Sequence, residues 1–190
     1  NIHRYGYGGS GGDYWAFRIA DTFIGIVKAK PTPEGHNMIP GFFSWAGTIS
    51  MGEVVGATPN GRHARAPISH GCNPDPGYRN DGAPTAMATA IARVNPGWGN
   101  SAPMQLELDP GIVRDEEGVE NVVNLVRGHM DLGGTQVNLN ILDKDKILAA
   151  HENPSLYPDL IVRVTGFSAY WASLSKDFRQ LVVDRIIAEN

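Results

Sequence analysis

Apolar positions recur along this chain with two different periods, and each change of period marks an element. Trp15, Ile19, Phe23, Ile26 and Val27 fall at near-helical spacing between Asp13, a candidate N-cap, and Lys30, where Pro31 and Pro33 stop the helix. From Phe42 to Val55 aromatic and β-branched residues predominate, and the stretch reads as extended chain before the turn Thr58-Pro59-Asn60-Gly61. Ala83 to Val94 is small-residue and helix-compatible. Met104 to Leu108 reads as a strand. Val119, Val122, Val123, Val126 and Met130 form one helix face. After Gly133-Gly134 the period drops to two in Gln136 to Ile141, with Val, Leu and Ile on one face and amides on the other. Those amides, Gln136, Asn138 and Asn140, need water, a polar cavity or facing partners. Asp143 can cap a helix through Ala150 that stops before Pro154, and Leu160 to Val164 reads as a buried strand. Phe178, Leu181, Val182 and Ile186 mark a last helix from about Ser175.

Between these elements lie irregular stretches at Ser69 to Gly82 and Asn95 to Asn100, in keeping with 23 glycines and 13 prolines. The opening run from Gly6 to Gly12 lacks a preceding strand and reads as a linker rather than a phosphate cradle. With 190 residues, 42% hydrophobic and 19% charged, the chain has the make-up of a globular protein of one or two domains. Its net charge of -4 offers nucleic acid and anionic membranes no general attraction, and no apolar run reaches the roughly 18 residues of a membrane span. No secretory pattern opens the chain, so a cytoplasmic setting is expected. The first residues read as the middle of a longer protein or as a processed subunit. Cys72 stands alone, which removes an intrachain disulfide and any CxxC pair. His63 and His70 lack a third ligand at suitable spacing, so no metal site is expected.

One segment is more specific. Arg163-Val164-Thr165-Gly166-Phe167-Ser168-Ala169-Tyr170, just ahead of the final helix, resembles the Arg-Val-x-Gly-Phe/Tyr-x-Ala segment of glycyl radical enzymes, the pyruvate formate-lyase-like family. Further blocks are similar to family blocks in the same order: Gly56 to Arg62, Ser69 to Pro74, Gly82 to Ala86, Gly133 to Gln136 with Asn138, and Tyr157 to Leu160. The resemblance covers nearly the whole chain from about Arg4.

The resemblance implies that Gly166 stores a radical after loss of one α-hydrogen. Glycine suits that task because it has no side chain to oppose a flattened backbone and because it reaches angles closed to other residues. Arg163, Phe167 and Ala169 would support the radical loop. A separate activating enzyme using S-adenosylmethionine and an iron-sulfur cluster would abstract the hydrogen, with no cofactor permanently bound here. The radical would then generate a thiyl radical on a cysteine outside this chain, since Cys72 falls at a position of the family that is usually small. The implied fold is the C-terminal part of a ten-stranded α/β barrel with the glycyl loop inserted toward its centre. Residues 1–130 would supply substrate-cavity strands and loops, and residues 131–190 the glycyl radical domain. Phe43 and Trp45 would line the substrate cavity, and Pro84 and Thr85, with Ala86, would face it from a helix start. The expected activity is that of an anaerobic lyase or dehydratase acting on a small organic molecule. Its partners would be the activating enzyme, the rest of the barrel or a larger subunit with the catalytic cysteine, and further copies of the complete enzyme. Two rival readings are a spare-part protein that repairs a damaged glycyl radical enzyme, and an α/β binding domain without a radical.

Overall fold

The computed structural model describes residues 3–74, 83–95, 97, 102–164 and 166–187. Parts of the two irregular stretches, residues 75–82, 96 and 98–101, therefore lie outside the described residues, as does Thr165. The elements are α1 (Gly11–Lys28), α2 (Thr48–Glu53), α3 (Pro84–Val94), β1 (Met104–Leu108), α4 (Glu116–Asp131), β2 (Val137–Ile141), α5 (Lys144–Glu152), β3 (Ile161–Arg163), β4 (Ser168–Tyr170) and α6 (Lys176–Ile187). The chain is α/β as expected.

The first helix starts three residues earlier than the apolar spacing predicts, because Ser10 and not Asp13 is its N-cap. Asp13 closes a capping box from the N3 position and does more. Its buried carboxylate accepts the backbone N–H groups of Gly6 at 2.7 Å, Gly8 at 2.9 Å and Ser10 at 3.0 Å. The glycine-rich opening is thus a loop wrapped around a carboxylate rather than a free linker. Positive φ values of 90° at Gly6 and 106° at Gly8 let the loop turn its amides inward, a geometry suited to glycine.

Residues 42–55 are also not extended. A 3-10 turn at Trp45–Gly47 leads into α2, whose Thr48 carbonyl accepts the Ile68 N–H at 3.1 Å and whose Gly52 abuts Ala66 and Pro67. Packing against this downstream loop overrides the strand preference of the individual side chains. Arg62, buried, holds the same loop by donating to the Ala66 carbonyl at 2.6 Å and to the Gly56 carbonyl.

Two apolar cores follow. One gathers Met87, Ala88 and Ile91 of α3 with Met104, Leu106 and Leu108 of β1, covered by Val122 and Leu125 of α4. The α4 stripe is therefore rotated from the predicted face: Val119, Val123 and Met130 are exposed, while His129 is buried and its Nδ1–H donates to the Ala88 carbonyl at 2.8 Å. A count of apolar residues alone passes over a buried histidine. A Schellman motif ends the helix, with Gly133 at φ 99° and the Gly134 N–H on the His129 carbonyl at 2.9 Å. The second core packs Ile147 and Ala150 of α5, Val162 of β3, Val164, Trp171 and Val182, Val183 and Ile186 of α6. The indole N–H of Trp171 donates to the Ala150 carbonyl at 2.9 Å.

β1 and β2 run parallel with α4 as the crossover, and β3 and β4 form an antiparallel hairpin. No backbone ladder among the described residues joins the two pairs, which form separate two-stranded sheets. Side chains make the connection.

Candidate functional site

Strands β3 and β4 pair Ile161 with Tyr170, Val162 with Ala169 and Arg163 with Ser168. The Val164 N–H then donates to the Phe167 carbonyl at 2.9 Å, leaving a two-residue connection that ends in Gly166. Gly166 has φ 88°, in the left-handed region that other residues enter only at a cost. An added Cβ would meet no described atom within 4 Å, so the backbone angle and not crowding is what favours glycine within this chain. The buried loop tip expected from the sequence is not provided by the chain itself: Gly166 is exposed on it.

The stem of this turn is held from beneath. Asn140 on β2 grips the Arg163 peptide at two points, its Nδ2 donating to the Arg163 carbonyl at 2.7 Å and its Oδ1 accepting the Arg163 N–H at 2.7 Å. One amide side chain so takes the place of a neighbouring strand. Arg163 itself is half-buried and reaches back, Nε donating to Asn138 Oδ1 at 3.3 Å and Nη1 to Ser168 Oγ at 3.5 Å. Arg185 of α6 donates from Nη1 to the Val164 carbonyl at 2.9 Å and to Glu107 Oε1 on β1 at 3.2 Å. That ion pair is almost dry, with side-chain exposures of 5% and 2%.

Register explains the convergence. Gln105 lies beside Asn138 and Glu107 beside Asn140 in the parallel pair, so the polar positions of both strands meet on one buried face. Gln105 Nε2 donates to Glu107 Oε1 at 2.9 Å, and Asn140 Nδ2 approaches the same oxygen at 3.4 Å. The apolar residues of β2 point the other way, where Leu139 and Ile141 are exposed. The amide face had been legible in the sequence as one that needs partners. Glu107, Arg185 and Asn73 had not, although Gln105 and Glu107 alternate with apolar neighbours as the amides of β2 do. Asn73 grips the far edge of β1 as Asn140 grips β3, bonding the Gln105 carbonyl at 2.7 Å and N–H at 3.0 Å.

Of the other expected site residues, Phe167 stands against Phe178 of α6 edge to face, with ring centres 6.4 Å apart, and Ala169 packs on the second core. Phe43 is exposed, Trp45 opens the 3-10 turn with its side chain outside the described set, and Pro84 and Thr85 are exposed at the start of α3. An apolar groove of about 460 Å³ is lined by Phe42, Ile19 and Phe23, with Tyr5 and Cys72. Burial pushes the Cys72 thiol up to about 12 and, with Cys72 and Asp13 nearby, raises the Tyr5 phenol as well. His63 is exposed and His70 buried, and among the described residues no cluster of three His, Cys, Asp or Glu side chains is placed to hold a metal.

A glycine at positive φ on a short hairpin, clamped by buried polar side chains ahead of a terminal helix, is the setting in which the family comparison falls. The sequence pattern described as "Glycine radical" matches residues 68–172, more than half of the chain, and the chain belongs to the glycyl radical enzyme family. It is 31% identical over 182 residues to trans-4-hydroxy-L-proline dehydratase of Clostridioides difficile, covering 96% of this chain and 23% of that protein. It is 33% identical over 169 residues to indoleacetate decarboxylase of Tractidigestivibacter scatoligenes, covering 88% of this chain and 19% of that one. Among solved structures, the glycerol-bound B12-independent glycerol dehydratase of Clostridium butyricum superposes with a TM-score of 0.80 at 31% identity, over 91% of this chain and 22% of its own. The chain thus spans about a quarter or less of the length of these relatives.

Proposed function

We propose that this chain is the radical-bearing portion or subunit of a glycyl radical lyase or dehydratase, and that Gly166 is the residue that holds the unpaired electron. The observation that carries this is the position of Gly166: inside the matched family segment, at φ 88°, on a turn whose stem is fixed by Asn140 and Arg185. Loss of one α-hydrogen leaves an electron shared between the flanking amide nitrogen and the carbonyl, and a residue without Cβ lets that centre flatten. The hydrogen is removed by an activating enzyme that uses S-adenosylmethionine and an iron-sulfur cluster. Gly166 then takes a hydrogen atom from a cysteine thiol outside this chain. The resulting thiyl radical takes one from the substrate, and the product radical recovers it.

In this reading residues 131–190 are the glycyl radical domain and residues 1–130 the C-terminal part of a ten-stranded barrel. The division is one of role, since β1 and β2 pair across it. The rest of the barrel supplies the cover that Gly166 lacks here, and Phe43, Trp45, Pro84 and Thr85 face the substrate within it. Exposed Trp15 and Ile19 on α1 and Ile161 on β3 meet the same missing layers. The complete enzyme is a cytoplasmic homo-oligomer that works without oxygen on a small organic substrate. The names of its relatives span dehydration, decarboxylation and sulfite release, and dehydratase or lyase chemistry is the part they share most.

Electron paramagnetic resonance after anaerobic activation tests the assignment. One remaining α-hydrogen splits the signal into a doublet, which should collapse to a single line when glycine is deuterated at its α-carbon and vanish in Gly166→Ala. A doublet that persists in Gly166→Ala would overturn the assignment. Purification with a long partner that carries its own intact glycyl motif would favour a repair protein.

A further inference from the structure

We infer that Asn140 and Arg185 are positioning residues whose shared task is to clamp the stem of the Gly166 turn, in place of the backbone ladder that β3 lacks on its inner side. The inference rests on the radical reading for its purpose, but its geometry stands independently. Two side-chain groups make three hydrogen bonds to two consecutive residues: the Asn140 amide to both backbone groups of Arg163, at 2.7 Å each, and the Arg185 guanidinium to the Val164 carbonyl at 2.9 Å. The remaining backbone donor of that pair, the Val164 N–H, closes the turn itself on the Phe167 carbonyl at 2.9 Å. The four backbone groups of Arg163 and Val164 named here are therefore each committed, immediately ahead of Thr165 and Gly166.

The clamp is anchored in rigid parts of the protein. Asn140 sits in β2, whose register with β1 places it beside Glu107, and Arg185 is held on α6 by Glu107 at 3.2 Å. Side-chain amides can release and re-form without unravelling a sheet, whereas a ladder pairs several residues at once. Burial makes each such bond matter, because an amide or guanidinium left unpaired in a dry site carries the full desolvation penalty. A radical carbon whose planarity is set by its neighbours' peptide orientation should respond to this stem geometry before it responds to general stability.

Hydrogen exchange of the full chain, read by mass spectrometry, tests the clamp directly. Asn140→Leu keeps the branching at Cγ and the number of heavy atoms and removes both bonds to Arg163. Amides of residues 161–170 should then exchange about 10-fold faster relative to residues 104–108 and 144–152, as expected for local opening. The core variant Ile147→Val, trimmed in the core that Ala150 and Val162 share, should loosen residues 144–152 and 161–170 alike. Should Asn140→Leu not fold, Arg185→Lys, which keeps the charge opposite Glu107 but not the planar fork, should give the same segment pattern more weakly. Equal exchange in the hairpin, or a rise shared by all segments, would overturn the clamp. In the activated protein, Asn140→Leu should shorten the lifetime of the doublet several-fold while Ile147→Val leaves it unchanged; equal lifetimes would remove the positioning role. A chain that shows no doublet even unaltered would defeat the radical reading alone, with the exchange experiment still deciding the clamp.

Discussion

At the scale of single residues, Gly166 and Cys72 separate reactivity from structure. No described atom would crowd a Cβ at Gly166, so the cost of Gly166→Ala should be that of a left-handed alanine, about 1–2 kcal/mol by chemical denaturation, while the proposed radical should be lost entirely. A larger loss of stability would mean that the side chain meets something more than its own backbone. Cys72 tells the opposite story. With its thiol pushed up to about 12, it should react with a disulfide reagent at pH 8 on the order of 10²- to 10³-fold more slowly in the folded chain than after unfolding. Comparable rates in the two states would show that the surroundings of the half-buried thiol do not hold it protonated. Gly166 was legible because it lies in a contiguous segment that resembles the family's own. The partial burial of Cys72 was not, since Phe42, Tyr5 and α1 reach it only through folding.

At the scale of elements, the most informative case is the start of α1. The Asp13 carboxyl is buried, which by itself would raise its affinity for protons, yet the amides of Ser10, Gly6 and Gly8 and the Ser10 hydroxyl outweigh this and hold it below the usual range. A lowered folded value means that the unfolded chain binds the proton first. The contribution of Asp13 is therefore complete above its unfolded value, near 3.9, and is lost as pH falls through the folded one. Asp13→Asn should cost about 1–3 kcal/mol at pH 7 in urea titration and flatten the acid limb of the stability profile; an unchanged limb would refute the amide cradle. The sequence indicated a helix here but placed its cap three residues late, because Ser10 lies in a glycine run that looks unstructured until Asp13 organises it. Asp143 shows the reverse. It caps α5 as read, its side chain accepting the Lys146 N–H at 2.8 Å, since this contact is entirely local.

For the whole molecule, the decisive feature is the buried ion pair between the two cores. Glu107 belongs to the strand of one core and Arg185 to the last helix of the other. Truncating one partner leaves a dry charge unmatched, so Arg185→Leu or Glu107→Leu alone should cost about 3–5 kcal/mol, whereas the double variant should be clearly less destabilised than the sum. Additive losses in a denaturant titration would show that the two groups do not interact. Exposed apolar side chains on α1 and on the outer face of β2, among them Ile19 at 67% and Trp15 at 62%, belong to the same scale. They are surfaces that this length of chain forms but does not cover.

The helices and strands from Ala83 to Val164, the local cap of α5, and the contiguous motif around Gly166 were legible in the sequence alone, because each depends on short-range periodicity or on neighbouring residues. Only the tertiary structure decided that residues 42–55 turn into a helix, that His129 and not Met130 faces the core, and that Glu107 and Arg185 meet beneath the glycyl hairpin. Those outcomes depend on contacts between residues far apart along the chain, and such contacts have free energies that no local pattern carries.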